Sequence, residues 1–276
     1  MICNYRSCWA GRFGGLKAIP NLMSSGVASL LSTPHRKDPA APTAHVVTAE
    51  YAYDHLAASY DAAYNSPRAR AENALMFRSI RYAGCDRGRI LDLGCGTGLF
   101  LEHAPVAPER YVGVDISGGM LSVARHKFPR HTFVQLDMAD LSSLPDRSFD
   151  SIVSLFASFA YVADPERVVA EIRRLLAPGG RFLVMTLGVR HRRRTPYTVE
   201  AVGMSVPWRL WRAADLRRQF AGFDNPRVSG THAVIDRWLA AKPATTTYAW
   251  LAAEAATIGR ALPQSCHYLI ATGGAR

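Results

Sequence analysis

The 276 residues, 49% of them hydrophobic, suffice for one substantial core, and no apolar run approaches the twenty or so residues that a membrane-spanning helix requires. The five cysteines, Cys3, Cys8, Cys85, Cys95 and Cys266, are scattered and odd in number, which excludes a zinc cluster or a disulfide framework and points to a reducing, cytoplasmic setting. The formal net charge of +11 is concentrated in two patches, Arg6, Arg12, Lys17, Arg36 and Lys37 against Asp38 alone, and Arg190-His-Arg-Arg-Arg194, each a solvated face or a contact for an anionic partner.

Residues 1–48 carry scattered Pro, Gly and Ser with no clear hydrophobic period. The stretch from Ile19 to Leu31 is too interrupted for a signal-peptide core. We expect a disordered tail, a leader, or a start chosen upstream of Met23, and a domain spanning 49–276. Tyr51 to Tyr64 reads as one helix, with Tyr53, Tyr60 and Tyr64 at helical spacing, either core aromatics or part of a site. Ser66-Pro67 opens a second helix to about Tyr82, with proline where a first turn tolerates it.

The informative stretch is Arg89-Ile-Leu-Asp-Leu-Gly-Cys-Gly-Thr-Gly98. An apolar strand, Ile90 to Leu93, runs into alternating glycines, and a Gly-rich turn after a first parallel strand holds adenine-containing cofactors in doubly wound folds. The G-x-G-x-x-G dinucleotide fingerprint would need its third glycine at position 99, which is Leu99, and no Gly-Lys-Ser/Thr follows to make a P-loop. Asp92 lies inside the strand end, where a carboxylate must find a donor. Cys95 reads as filling a small buried space.

Further strands follow in order. Tyr111-Val-Gly-Val-Asp115 ends on an acid about twenty residues after Gly94, the spacing at which a carboxylate accepts ribose hydroxyls. Thr132 to Leu136 ends on Asp137-Met138, an acceptor for an adenine amino group beside a soft surface for its ring. Either acid could instead cap the helix after it. Phe149 to Leu155 is the fourth strand, and Asp164-Pro165 starts an amphipathic helix that stops at Ala177-Pro-Gly-Gly180. Arg181 to Leu187 is the fifth. Gly188 to Arg212 is long for an ordinary connection. Ala213 to Ala221 is helical, and His267 to Ala271 is the closing strand.

These residues together resemble the class I S-adenosylmethionine-dependent methyltransferases, in the branch acting on small molecules. The likeness rests on Ile90 to Gly98, Gly113-Val-Asp115, Asp137-Met138, Phe149-Asp150, Leu176-Ala-Pro-Gly-Gly180 and the upstream Tyr53-Asp54 and Tyr60-Asp61 pairs. It implies an α/β, doubly wound, Rossmann-like sheet of seven strands with an antiparallel last strand. It also implies an N-terminal helical lid over 49–84 and substrate-pocket insertions over 188–212 and 236–262. The cofactor would be S-adenosyl-L-methionine, contacted by Tyr53, Asp92, Gly94, Cys95, Gly96, Gly98, Asp115, Ile116, Asp137, Met138 and Ser154, with no metal.

Tyr161 is the candidate catalytic residue, standing where the family often has a pocket-facing histidine. A phenol is a weak base and a better orienting donor; His103, His191, His232 and His267 are the alternatives. Transfer to O, N or C of a small acceptor, such as a secondary metabolite, quinone or modified amino acid, is the leading expectation, because aromatic-rich insertions suit a closed pocket. An RNA methyltransferase using Arg190 to Arg194, and a non-catalytic cofactor-binding partner protein, are the alternatives. After strand four, Ser154-Leu-Phe-Ala157 stands in place of a base-methylating Asn-Pro-Pro-Tyr motif.

Overall fold

The computed structural model describes residues 45–189, 197–201, 204–231 and 244–275. A two-residue strand β1 (His45–Val46) leads into α1 (Ala49–Leu56), a 3-10 helix (Tyr60–Asn65) and α2 (Pro67–Ala83). Ser66 caps α2 by accepting from the Ala69 N–H at 3.1 Å, and Gly84 ends it in the left-handed conformation, both standard solutions for orphan backbone groups at helix ends. The single helix expected over Tyr51–Tyr64 is therefore two pieces. Asp54 and Asp61 dock on different partners, Ser117 and Gly119 for the first and Thr97 and Lys127 for the second, and the chain turns between them.

Strands β2 (Ile90–Leu93), β3 (Tyr111–Asp115), β4 (Thr132–Gln135), β5 (Phe149–Ser154) and β6 (Leu176–Leu187) alternate with α3 (Leu99–His103), α4 (Gly118–Lys127) and α5 (Pro165–Leu175). Neighbours among these strands pair parallel, as helical crossovers require. The central strand β2 is buried along its whole length, the state expected of a parallel strand covered on both faces. Helix α5 turns Val168, Val169, Ile172 and Leu175 inward, an apolar stripe of helical period.

After β6 come β7 (Tyr197–Ala201), β8 (Met204–Trp208), α6 (Ala213–Gln219), β9 (Asp224–Thr231), α7 (Ala244–Ala256), the single turn α8 (Ile258–Ala261) and β10 (Tyr268–Gly274). The main sheet has the order β4-β3-β2-β5-β6-β10-β9, and β10 runs antiparallel to both β6 and β9. This is the expected seven-stranded sheet with an antiparallel last strand.

Two features were not foreseen. Residues 188–212, expected as a helical or loop insertion at the substrate pocket, contain the antiparallel pair β7–β8, which joins β1 in a separate three-stranded sheet. Strand β6 starts at Leu176, five residues early, because Leu176 pairs with Phe149 before a register shift.

Candidate functional site

The strand order reverses between β2 and β5, and ligands of open α/β sheets bind in the crevice that such a reversal leaves. Two turns meet there. Gly94, directly after β2, has φ 73°, and a Cβ on it would sit 2.5 Å from Ser158 Cβ and 3.3 Å from Met138 Cε. The second turn follows β5, where Phe156 and Ala157 take φ of 50° and 64°. Left-handed backbone at two successive non-glycine residues costs free energy and tends to cluster at functional sites. Here it aims Ser158 at Gly94: the hydroxyl lies 3.0 Å from Leu155 O and 3.3 Å from Gly94 O.

Gly96 is built differently. The nearest atom to its missing Cβ is Tyr60 Cε1, at 4.0 Å. A ligand can lie against that open backbone without meeting a side chain. The Gly96 N–H donates to Asp115 Oδ2 at 2.8 Å, and the Ser117 N–H donates to Oδ1 at 2.9 Å. Burial raises the Asp115 pKa, while these backbone donors pull it down. A carboxylate has about four acceptor positions, so each oxygen can still receive a ligand hydroxyl. Gly98 faces packing instead: its Cβ position is 3.0 Å from the Phe128 ring.

Asp92 has the donor its position demanded. It is buried, and the Tyr111 hydroxyl donates to its Oδ2 at 2.8 Å. Burial nevertheless pushes its pKa up to about 7; the Tyr111 bond lowers it and the Asp115 charge raises it. Cys95 is buried with its sulfur 2.8 Å from the Cβ position of Gly113. Burial holds that thiol well above its ordinary pKa, so it is packing and not a nucleophile.

Asp137 is exposed and accepts from the Ala139 N–H at 2.8 Å in a local turn. Ile116 is exposed too. Ser154 is buried at the end of β5, and its hydroxyl has no hydrogen-bond partner among the described residues.

A phenolic cluster covers the glycine turn. Tyr53 meets Tyr161 edge to face with ring centroids 5.6 Å apart, and Tyr60 at 6.1 Å. The Tyr60 and Tyr64 hydroxyls are 2.9 Å apart, and Tyr64 packs on Phe156 at 5.1 Å. Trp208, from β8, lies 5.8 Å from Tyr161. Burial is the main cause that raises all four phenols, Tyr53 to about 12 and Tyr60, Tyr64 and Tyr161 well above their ordinary value. At neutral pH every hydroxyl in the cluster is a neutral donor or acceptor and none is a base.

The segment carrying three of these tyrosines is anchored by acids. Asp54 Oδ1 accepts from Ser117 Oγ at 2.6 Å and from the Gly119 N–H at 2.8 Å, and Asp61 accepts from Thr97 Oγ1 at 2.5 Å and from Lys127 Nζ at 2.7 Å. The Tyr-Asp pairs of the sequence carried this signal. Ser158, Thr97 and Lys127 did not stand out, because isolated residues of those types have no sequence signature.

Other candidates lie elsewhere. His103 hydrogen-bonds Asn73 and packs on Phe77, and burial lowers its pKa; its role is structural. His267 packs on Tyr268. Trp211, inside the pocket insertion expected over 188–212, is core and stacks on Phe159. Tyr248 belongs to α7, which packs along α2. His191, His232, Trp238 and the Arg190–Arg194 cluster lie outside the described residues.

A family profile described as "Methyltransferase domain" matches residues 91–184. Among curated proteins, a demethylmenaquinone methyltransferase of Symbiobacterium thermophilum is 40% identical over 104 residues, 35% of this chain and 41% of that one. A trans-aconitate 2-methyltransferase of Paracidovorax citrulli is 32% identical over 139 residues, covering 48% and 52%. The chain spans about half the length of the curated relatives it matches.

Among solved structures, a S-adenosylmethionine-dependent methyltransferase of Thermotoga maritima shares the fold with a TM-score of 0.53 at 17% identity, over 82% of this chain and 99% of that one. A protein of Pyrococcus horikoshii does so at 0.51 and 19%, over 76% and 91%. Among the described residues no helix is long and apolar enough to cross a membrane. The matched segment is the one that carries the glycine turn, Asp115 and Ser158; over it the chain is similar to the methyltransferase domain, and its sheet has the fold of a solved S-adenosylmethionine-dependent methyltransferase.

Proposed function

We propose that this chain transfers a methyl group from S-adenosyl-L-methionine to O, N or C of a small-molecule acceptor. The observation that carries the reading is the half-buried Asp115, fixed by the Gly96 and Ser117 N–H groups beside an open glycine backbone at the sheet's reversal point. The same feature is the test of fit, since a ribose diol needs two acceptor oxygens and the adjoining chain needs a surface free of Cβ atoms.

In this reading Asp115 accepts the ribose hydroxyls, with Ile116 beside it. Asp137 and Met138 flank the adenine. Asp92 and the backbone from Gly94 through Gly98 orient the amino-acid portion, with Cys95 and Ser154 shaping the floor and Tyr53 the roof. When bound, the cofactor supplies a methyl group already electrophilic on its sulfonium. What remains for the protein is to hold an acceptor in line and exclude water. Tyr161, kept protonated by burial, orients the acceptor by donating a hydrogen bond and takes no proton. An amine arriving neutral or an activated carbon needs no base, whereas a hydroxyl acceptor must bring its own acidity. The relatives named for quinone and carboxylic-acid acceptors support a small acceptor without choosing one.

The test is transfer of labelled methyl from S-adenosyl-L-methionine to separate pools of small metabolites and RNA at low and moderate salt. Label in a small molecule is the expected result. Label in RNA that fades as salt rises would transfer the reading to a nucleic-acid substrate held by the basic cluster. Cofactor binding without label in any pool would favour a non-catalytic partner protein.

A further inference from the structure

Lys127, the last residue of α4, was singled out by no motif, yet two other elements bring a carboxylate to its ammonium. It is paired with Asp61 at 2.7 Å and, more closely still, with Glu102 of α3. It is only 21% exposed, and its two partners are partly buried. Asp61 uses its other oxygen to accept from Thr97 Oγ1, and Thr97 is fully buried between Gly96 and Gly98. Next to Asp61, Tyr60 is the residue that overhangs Gly96, with its hydroxyl tied to Tyr64. The ammonium is thus joined through Asp61 to the segment whose Tyr60 overhangs the glycine turn. Asp54 provides a second hold, on Ser117 and Gly119.

We propose that Lys127 is a positioning residue for cofactor binding, holding Asp61, and through it Tyr60, over the Gly96 backbone. The proposal rests on the reading of this cleft as the S-adenosyl-L-methionine site. Lys127 touches no reacting atom in this account. Its effect belongs to ground-state binding, because the roof it places is the same before and during transfer. Removing the ammonium leaves the Asp61 and Glu102 carboxylates facing each other without a cation between them, and the repulsion acts on the 3-10 segment that carries Tyr60.

The experiment is calorimetric titration of the full chain with S-adenosyl-L-homocysteine, with methyl-transfer kinetics once an acceptor is in hand. Lys127→Met is expected to weaken binding about ten-fold, the scale of a charge-assisted hydrogen bond, with KM for the cofactor raised and kcat at saturation unchanged. Lys127→Arg should restore binding. Glu102→Gln should change it by less than about two-fold, as for a partly exposed pair.

Asp61→Asn keeps an acceptor for Thr97 but loses the ion pair. It should weaken binding in the same direction, and it serves if Lys127→Met does not fold. Wild-type protein that binds no S-adenosyl-L-homocysteine would overturn the cofactor reading itself. Wild-type binding with unchanged affinity in Lys127→Met or Asp61→Asn would overturn the positioning role alone. So would a Glu102→Gln loss equal to that of Lys127→Met, because the ammonium would then matter only for joining α3 to α4.

Discussion

The Gly96 N–H and Asp115 Oδ2 are 2.8 Å apart, so the glycine turn and the acid at the end of β3 are one rigid unit. A ligand held by Asp115 is thereby held against Gly96. Asp115→Ala removes the acceptors for two hydroxyls and frees the turn, and cofactor binding should weaken by about 1.5–3 kcal/mol, the range for hydrogen bonds to a charged group. Asp115→Asn, which keeps an acceptor oxygen, should lose less. Calorimetry on both variants checks the order; equal affinity in Asp115→Ala and wild type would remove Asp115 from the site.

Asp92 predicts a pH dependence of stability. Its folded pKa is raised to about 7 from an ordinary 3.8, so between these values the folded state holds more protons than the unfolded one. Stability should therefore fall as pH rises through that window, by up to about 1.4 kcal/mol per unit, and level off above it. Asp92→Asn keeps an acceptor for Tyr111 and removes the titration. Denaturant unfolding of the variant from pH 4 to 8 should give a flatter profile and a gain over wild type at pH 8. The same slope in both would place the titration elsewhere.

The sheet was legible in the sequence because its parallel strands are apolar runs, with β2 and β6 running straight into a glycine and β3 ending on an acid, and because α2, α4 and α5 carry side-chain caps. Asp115, Gly94 and Gly96 were legible for the same reason, since their spacing along one βαβ unit already encodes proximity. The small sheet was missed although Tyr197–Ala201 and Met204–Trp208 are rich in β-branched and aromatic residues on either side of a two-residue Val-Gly link, which is a hairpin signal. The length of the segment and its arginine run drew the reading toward a helical or loop insertion. Ser158 and Lys127 could not have been found, because what makes them matter is contact with Gly94 and Asp61 at sequence separations of more than sixty residues. The two-piece N-terminal helix was hidden for a related reason: the pattern of tyrosines is helical throughout, and only the docking of Asp54 and Asp61 on separate partners breaks it.

Tyr161 should behave as a donor and not as a base. Its hydroxyl is raised well above 10 by burial, so it stays protonated across the accessible range. Tyr161→Phe should reduce kcat by about ten-fold or less, as expected for one neutral hydrogen bond, and the pH–rate profile between pH 6 and 9 should keep its shape. A variant whose profile loses an ionisation present in wild type would assign Tyr161 the proton-transfer role denied to it here.

Gly94 and Ser158 give the sharpest structural test, because two independent costs coincide at one position. A Cβ on Gly94 would come within 2.5 Å of Ser158 Cβ and 2.6 Å of its hydroxyl, on a backbone with φ 73°. Gly94→Ala should destabilise the fold by about 1–3 kcal/mol from overpacking and left-handed strain together. Adding Ser158→Gly removes the clash but not the strain, so the double variant should recover part of the loss and never all of it. Chemical denaturation of the two single variants and the double completes the cycle. A strictly additive result, with no recovery in the double variant, would mean that the two turns are not in contact, and the crevice at the reversal of strand order would have to be built from other residues.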